Sequence, residues 1–484
     1  MKKDINIIVV LIILNLILKS ICLGDYNIDL DEPFSLYHAN GDLKYLLELL
    51  KWENNPPLFF IILHFWIKIF GIGVISARFL PMIFSSLVVI FIYKTGKKYV
   101  NQVAAIGASL LYTFSNQNIM EAHDARVYSL FVLLTCASMY FYLSMIDSGK
   151  KHKYLIALTI TNILLIYSHY LAFFVILTQV IFTLVITQVR KKIFRQYLIS
   201  FGIMLLAYLP YLYIFLIRLT TTLHDGLSAE KSKLYHLYFL LEAFCNYHPT
   251  IAVLFLIILA TFAVFLFVKR QTLSVQQIII IGWFVIPYVL MFLISYKLPM
   301  TIPRYMIFIT PGLFLTVMMA VSYLGSKVKF IAIGLSLVCV CLMAITTDLN
   351  YSLGFQSKKA VGIIRTLKSD STRVYIFPRW IEIVFTYHYN LDIFKHFGTY
   401  QEYLNKDNIY ALSQPNDIDT SRLKNVKDVL LLIGWGADIQ DKDNLIAKTL
   451  IQKIGPMDTV AILRSYSIFH FGENKIKKQL ARKD

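Results

Sequence analysis

Apolar residues in this chain come in long blocks separated by short polar segments. The blocks fall near 5–23, 74–94, 102–118, 126–146, 154–168, 171–189, 198–217, 250–268, 276–296, 305–323 and 329–346. A helix of about 20 apolar residues covers the ~30 Å hydrocarbon core of a bilayer. Only helices and closed barrels satisfy every backbone polar group at that depth. The pattern therefore predicts a polytopic α-helical membrane protein with about eleven transmembrane helices. The apolar stretch 57–70 is too short to span and contains His64 and Lys68, so it reads as a helix lying in the outer interface. Beyond residue 350 the pattern changes. Val374-Tyr375-Ile376-Phe377, Val429-Leu430-Leu431-Leu432-Ile433 and Val460-Ala461-Ile462-Leu463 are short apolar runs with amphipathic stretches between them. That alternation predicts a small α/β domain with a mostly parallel sheet. The expected domains are a membrane module over 1–350, with a first outer loop at 24–73, and an extracytoplasmic α/β domain over 351–484.

Charge then orients the chain. The 484 residues are 57% hydrophobic and 16% charged, with a formal net charge of +18. Soluble domains carry about 25% charged residues. The basic groups are concentrated at Lys2 and Lys3 and in alternate loops near 94–98, 150–153, 190–195, 269–270 and 327–329. By the positive-inside rule this side is cytoplasmic, so the charge marks orientation and not a nucleic-acid partner. An odd number of spans places the N-terminus in the cytoplasm and the tail outside, as expected for a multi-pass plasma-membrane protein. No small-x-small cleavage site follows the first apolar run, so it reads as an uncleaved first helix. The five cysteines show neither metal-ligand spacing nor a disulfide framework.

The candidate chemistry lies in the outer loops. Asp31 and Glu32 stand just after the first span, at the start of an amphipathic segment, where a carboxylate can take a proton from a hydroxyl. The same spacing also suits helix capping, since Asp29 and Glu32 have capping-box positions. The second loop reads Glu121-Ala122-His123-Asp124-Ala125-Arg126-Val127-Tyr128. Charges at the mouth of a membrane helix are costly unless paired or functional. Arg126 can hold a phosphate by bidentate hydrogen bonds, or form an ion pair with Asp124 or Glu121. Glu121, His123 and Asp124 are also candidate ligands for a divalent cation, although the spacing is a weak signal and no cofactor is certain. Arg304 and Tyr305 open the tenth span, either as a functional pair or as interfacial anchors. His169 and Tyr170 sit at another outer turn. Lys51, Trp52, Glu53 and the turn Asn54-Asn55-Pro56-Pro57 can line a site from the first loop.

These motifs, in this order, resemble the GT-C superfamily of membrane glycosyltransferases. The likeness is nearest to the branch of the protein O-mannosyltransferases and the lipid A aminoarabinose transferase. It rests on Asp31-Glu32, Asn55-Pro56-Pro57-Leu58-Phe59-Phe60, Phe65-Trp66, Phe70-Gly71, Arg78-Phe79-Leu80-Pro81, Asp124-Ala125-Arg126-Val127-Tyr128, His169-Tyr170 and Arg304-Tyr305, spread over 1–325. The aminoarabinose transferase has a Lys before a single Pro in the first loop, whereas this chain has Asn55 before Pro56-Pro57. The resemblance implies Asp31 as general base with Glu32 and Asp124 beside it. It also implies Arg126 and Arg304 near the lipid phosphate. Tyr128, Tyr305, His169 and His123 are further candidate substrate contacts.

The implied reaction is an inverting sugar transfer from a polyprenyl-phosphate donor to an acceptor hydroxyl at the outer membrane face. A lipid, a cell-wall polymer, a lipid-linked glycan and a protein all remain open as acceptors. A transporter or lipid flippase is the alternative, but it calls for polar or broken helices at mid-membrane, and the acids here lie in outer loops. A non-catalytic scaffold leaves the first-loop acids without a use.

Overall fold

The computed structural model describes residues 2–472, apart from 26–27, 30, 50, 52, 54, 148–150, 226–232, 299, 326–328, 350–355, 420–422 and 424–425. The chain folds as two compact units. The first comprises Met1–Leu23, Leu47–Trp66 and Ile75–Tyr351; the second comprises Gly24–Leu46, Ile67–Val74 and Ser352–Asp484. The first outer loop, expected to belong with the membrane module, is thus divided between the two.

The first unit is helical. Each predicted apolar block lies on a helix, including Lys2–Ser20, Tyr128–Asp147, Ala172–Val185 and Lys329–Ile345. Among the described residues, six helices are long and apolar enough to cross a membrane: Val74–Tyr99, Tyr128–Asp147, Thr187–Thr221, Pro249–Val268, Val275–Ile294 and Pro303–Leu324. The chain is an integral membrane protein. Several boundaries differ from expectation. The block at 102–118 breaks into Gln102–Thr113 and Asn116–Met120. There the Asn116 N–H leaves the helical ladder to donate to Asn246 Oδ1 at 2.7 Å. The block at 198–217 extends to a helix over Thr187–Asp225, because the basic segment 190–195 is made largely of residues that favour helix. The stretch expected to be interfacial forms the 13-residue helix Leu58–Phe70.

Packing between these helices uses small residues and buried polar groups, as expected where lipid offers no hydrophobic drive between helices. A Cβ on Gly282 would lie 2.1 Å from Phe182 Cζ, so only glycine lets these two helices approach. Ser138 Oγ donates to Asn162 Oδ1 at 2.5 Å, Asn162 Nδ2 to Gln179 Oε1 at 3.1 Å, and Gln179 Nε2 back to Ser138 Oγ at 2.7 Å. The ring of bonds satisfies three buried side chains at once.

The second unit is built on a five-stranded sheet of order β2-β1-β3-β5-β4. The strands are β1 (Arg373–Phe377), β2 (Ile409–Ala411), β3 (Val429–Gly434), β4 (Met457–Ile462) and β5 (Tyr466–Phe471). β1 pairs in parallel with β2 and β3, while β5 runs antiparallel to β3 and to β4. Tyr375, Phe377, Leu431, Ile446, Leu450 and Phe471 form its core. The helix Asp31–Asn40 joins this unit through its apolar face. Leu36 and Ala39 are fully buried, and the Tyr37 ring lies 5.0 Å from those of Phe397 and Tyr400. Such aromatic contacts draw part of the first loop into the tail's core.

Candidate functional site

Within the first unit, five of the expected residues meet around one turn. The loop Tyr167–Leu171, between two helices, presents His169. Its ring stacks on Phe131 at 4.8 Å and lies 5.8 Å from Tyr128 and 6.3 Å from Tyr305. The Arg304 guanidinium stands 5.9 Å from the centre of the Tyr128 ring and 5.5 Å from that of Tyr305. Arg126 is buried and packs 5.9 Å over Phe60. Burial, reinforced by the positive charges of Arg126 and Arg304, lowers the His169 pKa to about 3. At neutral pH the imidazole is therefore uncharged. The Leu171 N–H donates to Nδ1 at 3.1 Å, so the ring proton sits on Nε2. That Nε2–H is buried and has no hydrogen-bond partner among the described residues. A buried donor left in this state costs about 1–3 kcal/mol. An anion between the arginines would relieve that cost.

Arg126 Nη2 stands 3.9 Å from Glu53 Oε1, and the two side chains are 7% and 12% exposed. The separation exceeds a hydrogen bond, so this is a charge contact between two nearly enclosed groups. Glu53 was legible only as a member of the first-loop turn. Nothing in the local sequence pairs it with Arg126, 73 positions away by their residue numbers.

In the second loop Glu121 Oε1 accepts from Gln117 Nε2 at 2.8 Å, and the backbone carbonyl of Asp124 accepts the Arg126 N–H at 2.7 Å. His123 Nε2 donates to the Lys19 carbonyl at 2.6 Å. Burial pushes the His123 pKa down to about 4. Among the described residues no three His, Cys, Asp or Glu side chains group as a metal ion requires. The trio Glu121, His123 and Asp124 does not assemble as a cation site, and the Lys19 carbonyl occupies His123 Nε2.

Sequence reasoning missed Lys19. It is fully buried in the helix Lys2–Ser20, with Nζ donating to Ser85 Oγ at 2.6 Å and lying 4.7 Å over the Tyr112 ring. A lone lysine inside an apolar block was the available signal. Arg78 also acts here, its Nη1 donating to the Leu23 carbonyl at 3.2 Å. Together with His123 it holds the end of that helix, immediately before the acidic segment.

Asp31 and Glu32 lie in the second unit. Asp31 opens its helix, and its carbonyl accepts from Ser35 Oγ at 3.0 Å. Glu32 is buried, and its N–H donates to the Asp29 carbonyl at 3.2 Å. The Asp29 carboxylate accepts from Ser357 Oγ at 2.6 Å and Tyr466 Oη at 3.2 Å. Asp29 therefore ties the segment to the tail, while Asp31 holds the position at the helix start.

Comparison with known proteins bears on the fold that carries these residues. Residues 54–217 match the family described as dolichyl-phosphate-mannose-protein mannosyltransferase. No curated protein matches the chain by sequence. Among solved structures, ArnT from Cupriavidus metallidurans bound to undecaprenyl phosphate superposes with a TM-score of 0.59 at 11% identity, covering 98% of this chain and 99% of that one. The Archaeoglobus fulgidus oligosaccharyltransferase AglB, in complex with an inhibitory peptide and a dolichol-phosphate, gives 0.54 at 11% identity, covering 88% of this chain and 69% of that one. The chain therefore has the fold of ArnT and AglB, and residues 54–217 carry the sequence pattern of the dolichyl-phosphate-mannose-protein mannosyltransferase family.

Proposed function

We propose that the protein is an inverting glycosyltransferase that takes a sugar from a polyprenyl-phosphate carrier and passes it to an acceptor hydroxyl on the outer face of the plasma membrane. The observation that carries this reading is the buried, unpartnered His169 Nε2–H beside Arg126 and Arg304. A neutral donor flanked by two guanidinium groups suits a phosphate monoester. The ligands bound in the two structural relatives, undecaprenyl phosphate and dolichol-phosphate, belong to the same chemical class.

In the proposed reaction Asp31 accepts the proton of the acceptor hydroxyl. The oxygen attacks the anomeric carbon from the face opposite the phosphate, and the bond from that carbon to the phosphate oxygen breaks. Polyprenyl phosphate leaves with an additional negative charge. Arg126, Arg304 and the His169 Nε2–H face that charge as it develops, and pre-arranged donors of this kind contribute about 3–4 kcal/mol each. Tyr128 and Tyr305 hold Arg304 by cation–π contact. Glu32 orients the base. In this reading the eleven apolar helices all span, which leaves the N-terminus in the cytoplasm and residues 351–484 outside.

The test is turnover of radiolabelled polyprenyl-phosphate sugar by the purified protein in lipid nanodiscs with a membrane extract as acceptor source. Wild type releases polyprenyl phosphate and Asp31→Asn does not, although it inserts and melts normally. Equal release from both proteins would remove Asp31 from the chemistry. No release from wild type with any polyprenyl-phosphate sugar would overturn the transferase reading.

A further inference from the structure

The parallel half of the sheet in the second unit carries a polar cleft and an aromatic pair along one edge. The chain runs from β1 to β2 on one side and then crosses to β3 on the other. Such a reversal opens a crevice between the carboxyl ends of β1 and β3, where ligands of open α/β sheets bind. Beside that point the carboxyl ends of β1 and β2 border a cleft of about 200 Å³. Its lining includes Arg379, Glu382, Gln401, Asn405, Asp417 and Tyr410. Planar amide, carboxylate and guanidinium groups beside an aromatic ring suit a ligand that both donates and accepts through many hydroxyls.

Glu382 gives the cleft a built polar centre. It is 4% exposed. Its Oε2 accepts from Tyr400 Oη at 3.1 Å and Gln401 Nε2 at 2.9 Å, and Arg379 Nε stands 3.7 Å from the same oxygen. Oε1 has no hydrogen-bond partner among the described residues, so this buried carboxylate keeps one acceptor for a donor entering the cleft.

The next position along the edge, between the carboxyl ends of β1 and β3, carries Trp380 and Trp435. They are 43% and 48% exposed, with ring centres 5.6 Å apart. The backbone is shaped to allow this pair. Gly436 has φ +82°, and a Cβ there would lie 2.9 Å from Trp380 Cζ2. Adjacent strands lie about 4.8 Å apart. The cleft and the tryptophan pair are therefore offset by one strand, a step comparable to one sugar residue. Exposed aromatic faces stack on the C–H face of a pyranose, while the neighbouring polar cleft takes the hydroxyls.

We propose that this edge binds a neutral glycan, one pyranose seated in the Glu382 cleft and the next stacked on Trp380 and Trp435. Its use as the acceptor chain rests on the transferase reading; the binding itself does not. The full-length protein in nanodiscs is titrated with mannotriose, cellotriose and chitotriose by saturation-transfer NMR. At least one binds with Kd about 1 mM or tighter. Trp435→Ala and Glu382→Gln each weaken it about tenfold, while Trp435→Phe retains most of the affinity. Asp31→Asn binds the trisaccharide as wild type does and is scored separately for turnover, so failure of the transferase reading and failure of the glycan site give different results. The proposal is overturned if no trisaccharide binds, or if Trp435→Ala and Glu382→Gln both bind as wild type. It is also overturned if doxyl lipids in the disc quench emission that the Trp380→Phe/Trp435→Phe variant lacks, because the pair would then be an interfacial anchor.

Discussion

Replacing Arg126 separates an ion pair that only holds the fold from one that also holds a phosphate. Arg126 and Glu53 are 3.9 Å apart and nearly enclosed. At that distance, with an effective dielectric of about 20, their attraction is about 4 kcal/mol, and the desolvation of both groups offsets much of it. Arg126→Met alone strands Glu53 as a buried charge and costs about 3–5 kcal/mol of stability. The double variant Arg126→Met/Glu53→Gln removes both charges and recovers most of that loss. Binding follows a different rule. A charge-assisted hydrogen bond to phosphate contributes about 1.5–3 kcal/mol, so both Arg126 variants bind polyprenyl phosphate roughly 10–100-fold more weakly. Glu53→Gln removes a competitor for the guanidinium and binds the lipid as tightly as wild type or more so. The assay pairs thermal unfolding in detergent with equilibrium binding of fluorescent polyprenyl phosphate. If the double variant recovers both stability and lipid affinity, Arg126 serves only the fold and the reasoning fails.

Other consequences follow from the same geometry. Asp29→Ala removes the acceptor of Ser357 and Tyr466 and destabilises the protein by about 1–3 kcal/mol, measured by thermal unfolding, whereas Asp31→Asn leaves the melting temperature near wild type. His169 is held near pKa 3 in the folded state, against about 6.5 when unfolded. Its contribution to stability is therefore complete above pH 6.5 and declines as pH falls toward 3. His169→Gln should reduce the slope of stability between pH 6 and 4 by about 1.4 kcal/mol per pH unit, read from melting curves, and an unchanged slope would contradict the assignment. Gly282→Ala drives a methyl group into Phe182 and lowers stability by about 1–3 kcal/mol, with no change in sheet content by circular dichroism.

What the sequence revealed tracks the cost of each feature. A bilayer demands long apolar helices, so the blocks read directly as elements. Charges at a helix mouth are expensive, so Arg126, Arg304 and His169 stood out against their apolar flanks. Features set by long-range packing were hidden. The helix Asp31–Asn40 joins the tail because Tyr37 packs on Phe397 and Tyr400, and no local pattern encodes a partner some 360 residues away. The same holds for Glu53 beside Arg126. The trio Glu121, His123 and Asp124 suggests a metal because residue type is visible, while the Lys19 carbonyl that engages His123 is not. In the tail, the apolar runs announced strands, but the antiparallel β4–β5 hairpin at the sheet edge departs from the mostly parallel expectation. Val460-Ala461-Ile462-Leu463 carries no register of its own.

The most direct measurement is a structure of the full-length protein with polyprenyl phosphate bound. The account predicts a phosphate oxygen roughly 2.7–3.2 Å from His169 Nε2, with the guanidinium groups of Arg126 and Arg304 on the same phosphate. A lipid phosphate seated elsewhere, with the His169 Nε2–H still unpartnered, would contradict it.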